Sequence, residues 1–462
     1  MKPYTLTPLD LLFFRDGRPM ETGGGHGARW PEPSIIFDAL HAALWRAFPD
    51  CQGWEHRHDF GRSSHRPRNG DTQRFGSLKT AGLFPVLPDG RWLLPAPQDV
   101  VPAPTNDPNW LLCLQPVNTS QTNLPAPWIK YMPASHAAPT KDETAPWRTL
   151  EAWRAYLADR RPAASECFGN EDLFAAEWAT GIGIDAESQT QDGERIYSAQ
   201  YLRLRERVSA GFIASLPMKQ NDGAAPVREC IESLLPDHST IIVGGQQRTC
   251  QVQPASTSLA KVLPVAGATN GTRVKWVLLT PAIFPKIEED TAKAIPAHPG
   301  GWLPNWVDQA SGRVKLKFRT GEVRRRWNEA KQRTVREADQ ETAIAASLVA
   351  ARIPKPIPVV GWTERLHLLA DEKSHWIRTD DENAHGPRPT HLAVPAGAVY
   401  YFEADSPDEA HKLAVALNWH GCEPNPTTIK NRRSTLLGEK GFGLGVCGTW
   451  QFFQDVTGRS GK

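Results

Sequence analysis

YTLTPLDLLFFRDGRPMETGGGHGARWPEPSIIFDALHAAL, residues 4–44, sets the reading of the whole chain. Residues 4–14 read as a strand, with Pro8 at an edge or bend because proline cannot donate to a ladder. Arg15-Asp16-Gly17-Arg18-Pro19 carries an Asp-Gly turn signal. Next comes Gly23-Gly24-Gly25-His26-Gly27, a loop whose backbone can pass very close to a ligand. A helix is predicted from Ser34 as its N-cap, with Ile36, Leu40, Ala43, Leu44 and Ala47 at helical spacing and Pro49 as its stop. The order is strand, glycine-rich loop, helix.

A second segment echoes the first. Leu6-Thr7-Pro8 and Leu279-Thr280-Pro281 each end a β-rich run and are followed by Phe13 and Phe284. Each then leads to a His/Gly/Trp/Pro segment, at 26–31 and 298–304. The echo suggests two copies of one β-first domain. Further along, 147–158 has helical spacing, and 196–217 and 239–253 look strand-like, with Gly244-Gly245 breaking the latter. Residues 313–319, RVKLKFR, alternate as a half-buried strand with a basic outer face. A helix is expected over 324–350, with the basic start Arg324-Arg325-Arg326. Ser406-Pro407-Asp408-Glu409 opens another helix with a capping box. Residues 85–147 are proline-rich without periodicity and read as an irregular insertion packed over a core.

Composition narrows the class. A chain of 462 residues has room for two to four domains at roughly 100–200 residues each. The formal net charge is only +2, so a nucleic-acid surface has to come from local clustering of basic residues. The seven cysteines are scattered and contain no C-x-x-C pair, which speaks against a disulfide framework or a cysteine-rich zinc site and fits a reducing cytoplasm. The first residues lack a signal-peptide core, and no run reaches the ~18 apolar residues of a membrane span.

FFRDGRPMETGGG followed by PEPSIIFDALHAAL resembles the start of the third subunit of Cmr complexes, within the RAMP superfamily of CRISPR proteins. GIGIDAESQTQDGERIY (181–197), GGQQR (244–248), PVVGWTERL (358–366), VPAGAVYYFE (394–403) and GEKGFGLGVCGTW (438–450) fit the same family in the same order. The resemblance implies an α+β chain of two ferredoxin-like (RRM-like) domains with long irregular insertions, expected at 1–265 and 266–457. It implies a non-catalytic subunit of a type III-B CRISPR effector complex that holds the 5′ repeat-derived tag of the guide RNA. The partners it implies are the guide RNA, a large palm-bearing subunit and the backbone RAMP subunits, with no cofactor and no membrane.

Several residue groups are candidates for that contact. Backbone N–H groups of Gly23, Gly24 and Gly25, the helix start at Ser34, and the guanidinium groups of Arg15, Arg18 and Arg29 can hold phosphates; the alternative is a structural loop with solvated arginines. Arg248 joins them through the GGQQR match. Lys440, Gly441, Phe442 and Gly443 form a second candidate, with Phe442 either stacking a base or filling the core. The basic face over 313–326 is a solvated surface or an interface. His26 is either a hydrogen-bond donor or the general acid/base of a guide-processing endonuclease, and a protein-only scaffold is a further alternative. His56, His58 and His65 lack the companions of a metal site, so no metal and no catalytic residue are assigned. Trp30 and Trp302 are expected to pack their loops.

Overall fold

The computed structural model describes residues 1–14, 24–25, 30–47, 75, 78–102, 110–117, 127–136, 144–184, 187–188, 190–216, 230–266, 271–289, 291, 295–328, 333–360, 362–363, 369–370, 376–377, 386–387 and 390–454. Its first half contains, in chain order, β1 (Lys2–Pro8), β2 (Gly24–Gly25), α1 (Pro33–Ala47), β3 (Lys79–Val86), β4 (Leu93–Pro95), β5 (Cys113–Pro116), β6 (Tyr131–Ala134), β7 (Trp147–Thr149), α2 (Leu150–Leu157) and β8 (Cys167–Phe168). It continues with β9 (Phe174–Ile184), β10 (Gln191–Leu204), β11 (Ser209–Ser215), α3 (Cys230–Leu234), β12 (Ser239–Ile242) and β13 (Thr249–Pro254). The main sheet runs β12-β13-β1-β11-β3 with antiparallel neighbours. Tyr4 and Leu6 of β1 point to one face, as a period of two requires, and meet Ile36, Leu40 and Leu44 of α1 in a closed core.

The second half holds β14 (Arg273–Leu278), β15 (Lys317–Asn328), β16 (Arg333–Ala343), β17 (Ala346–Arg352), β18 (Ile357–Val359), β19 (Trp362–Thr363), β20 (Leu369–Ala370) and β21 (Trp376–Ile377). β22 (Gly386–Pro387), β23 (His391–Ala393), β24 (Val399–Ala404), α4 (Pro407–Leu417) and β25 (Gly445–Gly448) follow. Its main sheet runs β17-β24-β14-β25, again antiparallel throughout. Counted by chain order within each half, β3-β11-β1-β13 and β17-β24-β14-β25 share one order, second-third-first-fourth. The two stretches that echo each other in sequence, β1 and β14, hold equivalent central places. The fold is α+β, as expected.

The halves differ where the first helix belongs. α1 lies between the first two strands of the first sheet, whereas among the described residues between β14 and β17 there is no α-helix. The helix expected over 324–350 is instead an antiparallel ribbon, β15 with β16, running on into β17. The Glu-, Ala- and Arg-rich composition of this stretch favours a helix locally, but ladder pairing overrides that weak preference. Two boundaries also move. α1 begins at Pro33, so Ser34 sits inside its first turn rather than capping it. The run 147–149 is strand β7, and Thr149 caps α2 by accepting the Ala152 N–H (3.2 Å). Ser406 caps α4 as expected, but the Glu409 carboxylate accepts from the Ala345 N–H (2.6 Å), tying the helix start to the segment before β17.

The proline-rich insertion has a clear structural role. Val277, Val349, Val399, Tyr401 and Val446 project from the second sheet on the side away from the core around α4. They are buried against Trp110, Leu114, Trp153 and Tyr156, and against Ala81, Phe84 and Ile213 of the first sheet. This shared cluster joins the halves, and the insertion closes the face. This face of the second sheet is therefore not open to a ligand.

Within that covered face lies one ion pair. Lys275 Nζ of β14 is 3.2 Å from Asp99 of the insertion, and the two side chains are 3% and 1% exposed. The Tyr156 hydroxyl donates to the same carboxylate (2.8 Å), and the ammonium sits 4.1 Å from the centre of the Tyr156 ring. Burial, with the Asp99 charge adding to it, holds the Tyr156 phenol well above its ordinary range, so it stays a donor. The connection between the halves is pinned separately. Trp419 Nε1–H donates to the Pro264 carbonyl (2.7 Å), and the Ala266 N–H donates to His420 Nε2 (3.1 Å).

Asp99→Ala should destabilise the chain by about 3–5 kcal/mol, because it leaves the Lys275 ammonium buried and unpaired. Replacing both residues, Asp99→Leu with Lys275→Met, should recover most of that loss; urea midpoints of the three proteins check it. Burial lowers the His420 imidazole to about 4. The folded state therefore binds fewer protons than the unfolded one across the window below the ordinary histidine value. Stability is fully present above about pH 6.5 and falls as the pH drops toward 4, by roughly 3 kcal/mol. Midpoints at pH 7 and 4.5 should show this loss, and His420→Gln should remove that part of it.

Candidate nucleic-acid interface

The N-terminal loop leaves the described residues after Phe14 and re-enters them at Gly24. Its exit is clamped. Phe13 accepts a hydrogen bond from the Gly245 N–H (2.9 Å), and a Cβ on Gly244 would come within 2.6 Å of the Phe13 carbonyl oxygen. Gly244 also has φ +77°, so it is required on both counts. Its re-entry is a ladder: Gly24 and Gly25 run parallel to Ser198 and Ala199 of β10. Leu12 bridges to Leu202, and the Phe13 ring lies 5.5 Å from that of Tyr201. The two ends of the loop thus bracket β10 around Tyr201. Arg15, Arg18, Gly23, His26 and Arg29, and also His56, His58 and His65, lie outside the described residues.

The GGQQR turn completes this cluster. Arg248 lies over the Tyr201 ring (4.9 Å), pairs with Asp10 (3.4 Å) and donates to Gln246 Oε1 (3.2 Å). Tyr201 donates to the same oxygen (2.5 Å). Sequence reading found Arg248 but missed Tyr201 and Gln246. Tyr201 lies on a long strand that carries no motif of its own, and Gln246 has an ordinary turn spacing.

The second candidate, at 440–443, packs on the first half. Lys440 Nζ pairs with Asp38 of α1 (2.5 Å) and sits over the Phe37 ring (4.7 Å), with 7% of its side chain exposed. Gly441 has φ +95°, and a Cβ there would lie 2.9 Å from Ala81 Cα of β3 and 3.3 Å from Pro33 Cβ of α1. A Cβ on Gly443 would strike the Ser434 backbone nitrogen, and Gly443 donates to the Pro281 carbonyl (2.7 Å). Phe442 is fully buried beside Ile283, Val359 and Ala393. Of its two readings the core one holds, and base stacking by Phe442 is corrected. The loop is a tight junction that seats the second half against the start of α1, the helix that the N-terminal loop feeds.

The basic face at 313–319 alternates as read, with Val314 buried and its neighbours Arg313 and Lys315 exposed. Its charges are spoken for locally. Arg313 holds Asp405 through two bonds of 2.9 Å, Lys315 pairs with Asp308 (2.8 Å), and Lys317 and Arg319 share Glu341 (2.9 and 2.7 Å). These contacts keep the carboxyls of Asp405, Asp308 and Glu341 below the ordinary range. Arg324, Arg325 and Arg326 continue along β15, where Arg325 stands opposite Arg336. Trp30 packs its loop end as expected: its indole N–H donates to the Leu83 carbonyl (2.9 Å), and its ring meets Trp147 and Phe174. Another surface escaped the sequence reading. Trp178 and Ile182 of β9 are 57% and 49% exposed on the ribbon that carries β10. Among the described residues there is no cluster suited to a metal ion and no helix long and apolar enough to cross a membrane.

The family model described as CRISPR-associated protein (Cas_Cmr3) matches residues 4–450. No curated protein matches the chain. Among solved structures, a chain of the type III-B Cmr-beta complex bound to cognate target RNA and AMPPnP matches at 12% identity and a TM-score of 0.37, covering 87% of this chain and 86% of its own. A chain of the Csm3-Csm4 subcomplex of the type III-A CRISPR-Cas interference complex matches at 9% identity and a TM-score of 0.34, covering 88% and 93%.

Gly441→Ala should destabilise the chain by about 1–3 kcal/mol, from positive-φ strain plus the forced retreat of β3 from the loop. Thermal denaturation beside Gly90→Ala, where nothing lies within 4 Å of the added Cβ despite φ +87°, separates the close approach from the backbone term.

Proposed function

We infer the role of this chain from its family: it belongs to the CRISPR-associated Cas_Cmr3 family. In that setting it acts as a non-catalytic RNA-binding subunit of a type III-B effector complex and holds the 5′ repeat-derived tag of the guide RNA. The observation that carries the reading is the convergence at Tyr201. The two ends of an arginine- and glycine-rich loop and the Gly244–Arg248 turn are fastened around one stretch of β10. A loop held at both ends can present Arg15, Arg18 and its backbone N–H groups to phosphates with little ordering cost.

The covered face of the second sheet supports a reading in which the RNA is held at this loop edge. Each half is a ferredoxin-like domain, with the boundary near 265, and the shared core makes the pair a single rigid support. The guide's fixed 5′ end lies along the loop edge, and the large palm-bearing subunit and the backbone RAMP subunits complete the assembly in the cytoplasm. No bond is cleaved here; the chain positions the RNA while other subunits cover the variable part.

Arg15→Ala combined with Arg18→Ala should lower guide-RNA occupancy of the affinity-purified complex about tenfold or more at 0.2 M salt, with the thermal midpoint of the chain unchanged. Equal occupancy in variant and parent would remove the loop from the RNA contact. Ultraviolet crosslinking of the assembled complex supplies the independent check: no RNA adduct on this chain would make it a protein-only scaffold.

A further inference from the structure

The tip of the turn between β12 and β13 is strained. Gln246 and Gln247 both hold positive φ, at +56° and +51°. Left-handed backbone costs an L-residue roughly 1–2 kcal/mol, and hairpin tips of this kind ordinarily take Asn-Gly, Asp-Gly or Gly-Gly. Two adjacent glutamines are an expensive way to build a turn, and both are exposed. Neither fills a core. A strained, exposed pair beside a candidate site points to the side chains themselves as the reason for keeping it.

The orientation of Gln246 is settled by chemistry. Its side-chain oxygen accepts from Tyr201 Oη (2.5 Å) and from Arg248 Nη2 (3.2 Å). Arginine can only donate, so the amide oxygen must face it, and the amide nitrogen faces away. Tyr201 and Arg248 are themselves fixed, the first by Phe13 and the second by Asp10 and the Tyr201 ring. The Gln246 NH2 is thus a donor pair held in one direction. Among the described residues it has no partner, and neither has the Gln247 side chain. Such a group selects an acceptor: a ribose O2′, a base carbonyl or ring nitrogen, or a phosphate oxygen.

We propose that Gln246 and Gln247 are specificity-determining residues that read acceptor groups of a single-stranded RNA bound at this turn, with Tyr201 and Arg248 as positioning residues. The proposal rests on the reading of this chain as a guide-RNA holder and names the donors that distinguish one RNA segment from another. Arg248, paired with Asp10, contributes little free charge. Its task is to hold the amide, and the amide discriminates through hydrogen bonds rather than field strength.

The test uses the assembled complex with the guide RNA that co-purifies with it. Gln246→Glu keeps both acceptor bonds, to Tyr201 and to Arg248, but removes the donors. Gln246→Ala removes the donors without adding charge. Gln247→Gly relieves the turn strain. The expected result is guide retention weakened about three- to tenfold in each variant, with Gln247→Gly raising the thermal midpoint of the chain. A gain in stability together with a loss of RNA is the signature of a turn kept for binding. Retention equal to that of the parent in Gln246→Ala and Gln247→Gly would overturn the proposal and leave a structural hairpin. Loss of a protein subunit while the RNA stays bound would also overturn it and assign the turn to a protein contact. If the Gln variants retain RNA while the Arg15→Ala, Arg18→Ala protein loses it, this inference alone fails. If the parent chain gives no RNA crosslink, the underlying function fails first.

Discussion

The Asp99–Lys275 pair is the constraint on which the architecture turns. A four-stranded sheet with α4 on one side leaves its other side to be covered, and here the middle strand of that side carries a lysine. An ammonium under Trp153, Tyr156 and Tyr401 is untenable without an anion at contact distance. The anion arrives from 176 residues away, on an insertion that has little regular structure of its own. Apolar burial brings the insertion to the sheet, but apolar contact is non-directional. The ion pair, with the Tyr156 hydroxyl and ring completing its shell, admits one placement. The insertion then lies fixed between the two sheets, and the halves share a core.

A second junction depends on the first. With the halves joined through the shared core, the loop at 438–445 falls against β3 and α1. The approach is close enough that only glycine fits at 441, and Lys440 then meets Asp38. α1 is therefore held from both sides, by its own sheet and by the other half. The loop that feeds it starts beyond Phe13, which Gly244 and Gly245 clamp. Fixed ends suit the proposed recognition role of that loop, since ordering lost on binding is subtracted from affinity. The fold serves the site by removing freedom at its edges.

Much of this was legible in the sequence wherever the signal is local. The Ser406 cap, the alternation from Arg313 to Arg319 and the break at Gly244-Gly245 follow from short-range sterics and hydrogen bonding, and they stand in the structure. The echo of Leu6-Thr7-Pro8 in Leu279-Thr280-Pro281 pointed to two strands that do occupy equivalent places. Other features depended on partners far along the chain. Residues 324–343 have helix-forming composition and became a ribbon because ladder pairing from Lys317 to Ala343 outweighs propensity. Phe442 had two readings, and only the positions of Ile283, Val359 and Ala393 decide between them. At the candidate site, arginine and glycine were visible as types. That Gln246 is held by Tyr201 was not, since no pattern links a turn to a strand 45 residues earlier.

Charge bears on the proposed site as well. The chain is nearly neutral, and several cations of the candidate surfaces are matched by carboxylates: Arg313 by Asp405, Lys315 by Asp308, Lys317 and Arg319 by Glu341, Lys440 by Asp38. Such pairing suppresses the long-range field that draws a protein onto any polyanion. On the proposed reading, a subunit that holds one end of one RNA gains from this, because non-specific attraction would favour every other stretch equally. On that reading recognition falls to short-range groups, such as a side-chain amide whose acceptor end is already occupied by Tyr201 and Arg248. These act only at contact and only on groups of complementary geometry. Paired surface charges with oriented donors are what the proposed role, holding the constant end of a guide, would call for.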